Sequence, residues 1–152
     1  SRVRRHAKLR QSEKHKRPLI VILTKYDAWS ALLQDDNPPE PWRLISRGRV
    51  SDAESNSSMN ALDVPVIERR SQVVRNVLLK LSPEIVAAAE GFAEDVTYVP
   101  VSAVGWKTEI DESTQEVAIR PGDTQPYWAA VPFLYALCRW SPGLIPSIAR
   151  KK

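Results

Sequence analysis

The chain has 152 residues, 43% of them hydrophobic and 26% charged, which is enough apolar material for one domain and excludes a wholly disordered protein. A single cysteine, Cys138, excludes an internal disulfide and favours a reducing, cytoplasmic compartment. The formal net charge is +4, and no apolar run has the length of a transmembrane helix.

Positive charge is concentrated at the two ends of the chain. Residues 1–17 carry a net charge of +7 and residues 150–152 add +3, so the residues between them must carry −6 to give the total of +4. We interpret residues 1–17 as a basic helix or arm. Such a run suits contact with nucleic acid or anionic lipid, but a solvated helix face or a frayed end is the commoner reason for it, so the nucleic-acid signal is not strong.

The first predicted element is a strand at residues 19–23, Leu-Ile-Val-Ile-Leu, directly after Pro18. An uninterrupted aliphatic run is typical of a strand buried on both faces in a parallel sheet. We expect a short helix over residues 28–34, capped by Asp27. Residues 35–65 are rich in proline and polar residues, which predicts a long, mobile surface loop.

Two helices, a second strand and a final helix follow. Apolar residues recur at helical spacing from residue 66 to residue 81. Pro83 suits the first position of a second helix, which we expect to end at Gly91. Residues 96–101 predict another apolar strand. Residues 106–120 are charged and irregular, with a hairpin as one possibility, and residues 131–140 predict an amphipathic helix.

The residues that follow the two predicted strands carry the candidate chemistry. In open parallel sheets, ligands bind beyond the carboxyl ends of the strands. A carboxylate such as Asp27 can accept hydrogen bonds from both N1–H and the N2 amine of guanine, a pair that adenine lacks. The stem of Lys25 can lie along the base and ribose. The backbone N–H of Ala103 can donate to the guanine O6.

These strand ends resemble a known pattern. Thr24-Lys25-Tyr26-Asp27 is similar to the Asn/Thr-Lys-x-Asp motif of P-loop GTPases of the translation-factor and Ras-like class. Ser102-Ala103-Val104 is similar to their Ser-Ala-Lys/Leu motif, and residues 125–137 resemble the closing segment of a bacterial double-GTPase subgroup. The resemblance spans roughly residues 17–140.

The resemblance implies an α/β fold, a partial three-layer sandwich with two parallel strands of a GTPase-type sheet, flanking helices and a long irregular insertion. Residues 18–149 would form the C-terminal part of that domain, and guanine nucleotide, GTP or GDP, would be its ligand. The implied binding residues are the two motif triplets, Thr24, Lys25, Asp27, Ser102, Ala103 and Val104.

Three departures from the family pattern bear on this prediction. Thr24 stands where many members have asparagine, which removes one side-chain contact. Val104 replaces a lysine often found after Ser-Ala, so a second stacking group is lost unless Trp106 substitutes for it. Asp27 and Ser102 are 75 positions apart, and the predicted 35–65 loop accounts for most of the excess.

The phosphate-binding motifs of the family are missing from this sequence. It contains neither G-x-x-x-x-G-K-[ST] nor an Asp-x-x-Gly for the magnesium side. We therefore expect base recognition without phosphate binding or hydrolysis, and Mg²⁺ only with the remaining part of the domain. Residues preceding Ser1, or another chain, would cover the free edge of the 19–23 strand. We predict no catalytic residue and no metal site in this chain.

The alternative is a degenerate G-domain fragment that binds a protein partner. Five tryptophans, several of them beside prolines, would form the contact surface, with the Trp/Pro-rich tail at its centre. The two hypotheses differ in one property: a nucleotide switch must distinguish guanine from other bases, whereas an interaction module need bind no nucleotide at all.

Overall fold

The computed structural model describes residues 13–33, 39–46, 58–105, 109–110, 117–118, 122 and 124–148. In chain order the elements are β1 (Leu19–Leu23), α1 (Tyr26–Trp29) continued by a 3-10 turn (Ser30–Leu33), β2 (Trp42–Ser46), β3 (Ser58–Asp63), α2 (Val64–Leu81), α3 (Pro83–Phe92), β4 (Val96–Pro100), β5 (Glu109–Ile110), β6 (Val117–Ala118), α4 (Val131–Trp140) and β7 (Ser147–Ile148). The fold is mixed α/β, as predicted. The GTPase-type sheet and the three-layer arrangement stay predictions.

The two predicted apolar strands form one parallel pair. β1 pairs with β4 from Leu19 opposite Val96 to Leu23 opposite Pro100. Parallel strands need a long crossover connection, which α2 and α3 provide here. The sequence prediction of both strands is confirmed, and their carboxyl ends lie at the same edge of the sheet.

The region predicted as an irregular loop, residues 35–65, contains two strands. β2 and β3 pair antiparallel, and β7 joins β3 in parallel to complete a three-stranded sheet. The prediction was therefore wrong at residues 42–46 and 58–63. Pairing satisfies the backbone of β3 although its first residues are polar, and composition alone does not reveal a non-local partner. Residues 34–38 and 47–57 lie outside the described residues.

The helices differ from the predictions mainly at their ends. The helix expected over residues 28–34 is a single turn, α1, followed by the 3-10 turn, and Gln34 is outside the described residues. α2 begins at Val64, where the Asp63 side chain accepts a hydrogen bond from the Val66 N–H at 3.2 Å. α3 continues through Gly91 to Phe92, so the predicted stop at Gly91 was wrong. α4 has its predicted bounds.

Two hydrophobic clusters form the described core. The aromatic cluster contains nine buried residues: Tyr26, Leu62, Val66, Ile67, Val99, Tyr127, Trp128, Val131 and Tyr135. The helix-pair cluster contains five: Val74, Leu78, Val86, Ala89 and Tyr98. α2 contributes to both clusters along its length.

Alternate residues of β1 pack against different clusters. Ile20 packs against the aromatic cluster, whereas Leu19 and Val21 pack against the helix-pair cluster. This alternation is the period-2 geometry of a strand between two packed faces. Ile22, however, is 52% exposed, so the prediction of burial on both faces was wrong at that residue.

The remaining described segments are short. Residues 13–17 of the predicted basic arm are not helical; the N–H of His15 donates to the Phe92 carbonyl at 2.7 Å, and residues 1–12 lie outside the described residues. β5 and β6 pair antiparallel, which confirms the hairpin at those four residues. None of the described helices combines the length and the apolar character needed to cross a bilayer.

Candidate functional site

The segments that follow β1 and β4 are tied together by their backbones. The N–H of Val101 donates to the carbonyl of Leu23 at 2.8 Å, and the N–H of Tyr26 donates to the carbonyl of Val101 at 3.0 Å. These bonds continue the parallel pairing past the last strand residues. The two candidate motifs therefore start from one shared, hydrogen-bonded edge.

Asp27 and Ser102 are in direct contact across this edge. The Ser102 hydroxyl donates to Asp27 Oδ1 at 2.5 Å, although the two residues are 75 positions apart. Ser102 is buried, and Asp27 is half-buried in the first turn of α1. The predicted cap at Asp27 was wrong, because Lys25 is the N-cap residue of α1. No other hydrogen bond to the Asp27 carboxylate comes from the part of the chain that the structure describes.

Thr24 and Lys25 hold an unusual turn between the strand and the helix. Lys25 has φ 55° and ψ 42°, the left-handed region that residues with a Cβ rarely occupy. Such a conformation costs about 1–2 kcal/mol and is found where the surroundings impose it. The Trp29 indole N–H donates to the Thr24 carbonyl at 3.0 Å and closes the turn. Both Thr24 and Lys25 are exposed.

The loop after β4, residues 102–105, is held against the segment 124–127. Ser102 and Tyr127 exchange two backbone hydrogen bonds of 2.9 Å each, and the Gln125 N–H donates to the Val104 carbonyl at 2.9 Å. The Gly105 N–H donates to Ser102 Oγ at 2.9 Å. Ala103 is exposed, and its N–H has no hydrogen-bond acceptor among the described residues. That N–H is therefore available to an external acceptor.

Aromatic side chains pack around Tyr26, in the first motif, and around Tyr127, which is hydrogen-bonded to Ser102 of the second motif. The Tyr26 ring stacks on the Tyr127 ring with centroids 4.6 Å apart, and Tyr127 stacks on Trp128 at 5.3 Å. The Trp29 ring meets Tyr26 edge-on at 4.9 Å. Arg70, which is buried in α2, donates a hydrogen bond to the Tyr26 hydroxyl. The site is thus built on packed residues rather than on a free loop.

All six predicted binding residues lie at this edge, and three contributors were missed. Thr24, Lys25 and Ala103 are exposed, Asp27 and Val104 are half-buried, and Ser102 is buried. Trp106, the predicted second stacking group, lies outside the described residues. The missed residues are Gly105, Gln125 and Tyr127. A glycine directly after a Ser-Ala-x motif was the only local signal for the first of them.

Two cavities lie at other places in the structure. One, of about 430 Å³, includes Asp95, Thr97, Tyr135 and Arg139 beside the start of β4. Burial raises the pKa of Tyr135 there. The other, of about 470 Å³, includes His15 and lies near the start of β1. Both are at the amino ends of the strands, away from the candidate site.

Neither metal-binding clusters nor related proteins add to this geometry. Within the described ranges, no group of three or more His, Cys, Asp or Glu residues is arranged to hold a metal ion. Comparisons of the chain with protein-family models, with curated proteins and with solved structures found no match. The contacts at the strand ends are therefore the observations that bear on function.

Proposed function

We propose that the edge formed by residues 24–27 and 102–104 binds the guanine base of a guanine nucleotide, GTP or GDP. The Asp27 carboxylate accepts hydrogen bonds from N1–H and the N2 amine, and the Ala103 N–H donates to O6. The observation that carries the proposal is the 2.5 Å contact between Ser102 Oγ and Asp27 Oδ1, because it places the carboxylate beside the loop that contains Ala103.

The environment of Asp27 suits this task. The Ser102 hydroxyl occupies one acceptor position of Oδ1, and a carboxylate has about four such positions. The remaining positions match the two adjacent donors of guanine. Each charge-assisted bond contributes roughly 1.5–3 kcal/mol. Adenine offers no such pair of donors and would leave the remaining acceptor positions of the carboxylate unfilled.

The neighbouring residues support the same ligand. The left-handed Lys25 is a strained residue beside the candidate carboxylate, and backbone strain of this kind clusters at binding sites. Its exposed stem is free to cover a face of the base. Thr24 closes the turn through its carbonyl, and Val104 is fixed by its bond to Gln125. We assign base recognition to this chain, and phosphate binding, Mg²⁺ and any hydrolysis to residues other than these.

The test changes the side chain of residue 27 so that its hydrogen-bonding pattern matches xanthine instead of guanine. Asp27→Asn replaces one acceptor by an amide donor, which matches xanthine, since xanthine has a carbonyl where guanine has the N2 amine. Binding of guanosine and xanthosine is measured by chemical-shift titration of the chain in solution. We expect wild type to prefer guanosine by at least about tenfold and the variant to prefer xanthosine.

Glu84→Gln is the matched control, because Glu84 is an exposed acid in the first turn of another helix. It removes the same charge and is expected to leave the preference for guanosine unchanged. Equal binding of guanosine and adenosine by wild type would end the proposal.

The alternative function is a protein-interaction module that binds through the tail. The exposed aromatic residues of the tail lie on α4, not around Trp128. Tyr127 and Trp128 are buried, at 7% and 6% exposure, and belong to the core. Phe133 and Trp140 on α4 are 67% and 57% exposed. A partner would therefore contact α4 rather than the residues around Trp128. Partner binding that survives Asp27→Asn and is lost in Phe133→Ser would favour this alternative.

A further inference from the structure

We propose that Gly105 is a positioning residue for base recognition: its close approach to the Gln125 backbone sets the place of the Ala103 N–H. This inference rests on the proposed function. Gly105 is outside the six residues that the motifs indicate, and it belongs to the same 102–105 loop as Ala103.

The first observation is steric. Gly105 is buried and has φ +82°, in the left-handed region that glycine occupies without a Cβ penalty. A Cβ at this position would lie 2.2 Å from the Gln125 carbonyl oxygen and 2.9 Å from its carbonyl carbon. Both atoms are backbone, so relief requires that the loop or the Gln125 segment moves as a whole.

The second observation is that backbone hydrogen bonds hold the same loop on both sides of Ala103. Hydrogen bonds of 2.9 Å join Ser102 to Tyr127 in both directions and Val104 to Gln125. Ala103 lies between these fixed residues, and its N–H has no acceptor among the described residues, which is also true of the Val104 N–H. A displacement of Gly105 from Gln125 therefore moves the Ala103 N–H relative to the base.

The third observation connects Gly105 to the carboxylate. The Gly105 N–H donates to Ser102 Oγ at 2.9 Å, and the Ser102 hydroxyl in turn donates to Asp27 Oδ1. Bonds in such a chain polarise and orient one another. Gly105 is thus joined to Ala103 directly by the backbone and to Asp27 only through the Ser102 hydroxyl, so its displacement acts mainly on the Ala103 N–H.

Gly143 provides a matched control for the test. It also has a positive φ, +89°, but a Cβ added there would have no atom within 4 Å. Gly105→Ala and Gly143→Ala therefore introduce the same backbone strain, and only the first introduces the collision with Gln125. The probes are guanosine and the riboside of 2-aminopurine, a base that keeps the N2 amine and lacks both O6 and N1–H; the quantity compared is the change that each variant makes in the ratio of the two affinities.

We expect Gly105→Ala to lower the ratio of guanosine affinity to 2-aminopurine riboside affinity about fivefold, which corresponds to one neutral hydrogen bond. Affinity for the 2-aminopurine riboside should change by less than about twofold, and Gly143→Ala should leave the ratio unchanged. An unchanged ratio in Gly105→Ala, or an equal loss for both probes, would overturn the inference.

Amide hydrogen exchange separates this inference from the proposed function. In the ligand-free chain, Gly105→Ala should accelerate exchange of the Gln125 N–H, which is bonded to Val104, whereas Gly143→Ala should not. If wild type binds neither probe, the proposed function fails. The exchange result still decides whether Gly105 fixes the position of the 102–105 loop against Gln125. Equal exchange in both variants would overturn the positioning role.

A second variant covers the case in which Gly105→Ala does not fold. Gln125→Pro deletes the N–H that donates to the Val104 carbonyl and leaves Gly105 in place. The same selective fall in guanosine affinity supports the inference. A Gln125→Pro variant that keeps the wild-type ratio of the two affinities overturns it.

Discussion

Asp27 and Asp63 occupy the same kind of position in the chain, and the fold uses them differently. Each lies where a strand gives way to a helix. Asp63 is 2% exposed; its Oδ1 accepts from the Val66 N–H at 3.2 Å, and its Oδ2 pairs with Arg43 at 2.6 Å. Both of its oxygens have partners within the fold. Asp27 contacts Ser102 through Oδ1 alone.

The two carboxylates differ in how many of their acceptor positions are filled by the fold itself. Asp63 satisfies the start of its own helix, which is a local task that stabilises α2. The Asp27 carboxylate makes no such cap: its Oδ1 contacts Ser102, beyond the end of β4, and its other oxygen has no partner among the described residues. The strand–Asp–helix pattern is common to both. Asp63 combines a local cap with an ion pair to Arg43 on β2, whereas the described residues give the Asp27 carboxylate the Ser102 contact alone.

The largest expected effects come from removing each carboxylate in turn. Asp63→Ala should lower the free energy of unfolding by about 2 kcal/mol, because a cap is lost and an ion pair to the mostly exposed Arg43 adds little. Asp27→Ala should weaken guanosine binding by about 3 kcal/mol, roughly a hundredfold, with two charge-assisted bonds removed.

Urea denaturation and guanosine titration of both variants measure this pair of effects. Asp63→Asn is the control for Asp63→Ala, since an asparagine keeps the capping oxygen. Two outcomes would contradict the distinction between the two carboxylates. One is that Asp63→Ala loses base selectivity while folded, and the other is that Asp27→Ala lowers the unfolding free energy as much as Asp63→Ala does.

A smaller effect is expected at the strained residue beside Asp27. Lys25→Gly removes the steric cost of the left-handed backbone and should raise the free energy of unfolding by up to about 1 kcal/mol. The same change removes the side-chain stem and should weaken guanosine binding severalfold. Lys80→Gly, in the last turn of α2, is the opposite control, because glycine destabilises a helix interior. Loss of stability in Lys25→Gly would show that the turn is not strained.

The smallest expected effect is a loss of stability at acid pH. It concerns a third acid, Glu90, which pairs with Arg75 on the surface. Arg75 Nη2 lies 2.8 Å from Glu90 Oε2, and the hydrogen bond from Arg75 lowers the pKa of Glu90 below its ordinary value of 4.5. A lowered pKa in the folded state gives stability that is present above pH 4.5 and is lost as the pH falls through the folded pKa. The pair is part-exposed, so we expect a small loss.

Tyr98 should make the stability of the fold depend on pH at the alkaline end of the range. Burial, and then the neighbouring Glu90 carboxylate, raise its pKa from 10.0 to about 12. Its contribution should therefore be intact below pH 10 and decline as the pH rises toward 12. Thermal unfolding against pH for wild type, Glu90→Gln and Tyr98→Phe checks both limbs. A wild-type acid limb that matches Glu90→Gln would contradict the pairing.

The parts predicted from the sequence are those encoded by local patterns. β1 and α4 have the bounds that continuous or periodic apolar residues indicate. The proximity of Asp27 and Ser102 follows from one general property, that parallel strands end at a common edge. β2 and β3 were missed because β3 has polar residues, Ser58 and Asn60, in its first half, and because the pairing joins residues 12 to 20 positions apart, beyond the reach of a pattern within one strand.

The roles of some residues depend on contacts between distant parts of the chain, which a local pattern shows only in part. Asp63 has a local signal, a proline two positions later, but its pairing with Arg43 needs the β2–β3 register. The role of Gly105 needs its distance from Gln125, which is set by the chain on the far side of a hairpin. Such distances arise from folding as a whole and are seen only in the folded chain.

The aromatic residues around Tyr26 give the chain an optical reporter of its own. Trp29 is two residues from Asp27, and its indole N–H is bonded to the Thr24 carbonyl at 3.0 Å. Indole emission depends on the polarity and hydrogen bonding around the ring, so a change in the turn alters the intrinsic fluorescence. Events at the strand ends can therefore be followed in unlabelled protein, with Trp29→Phe identifying the signal.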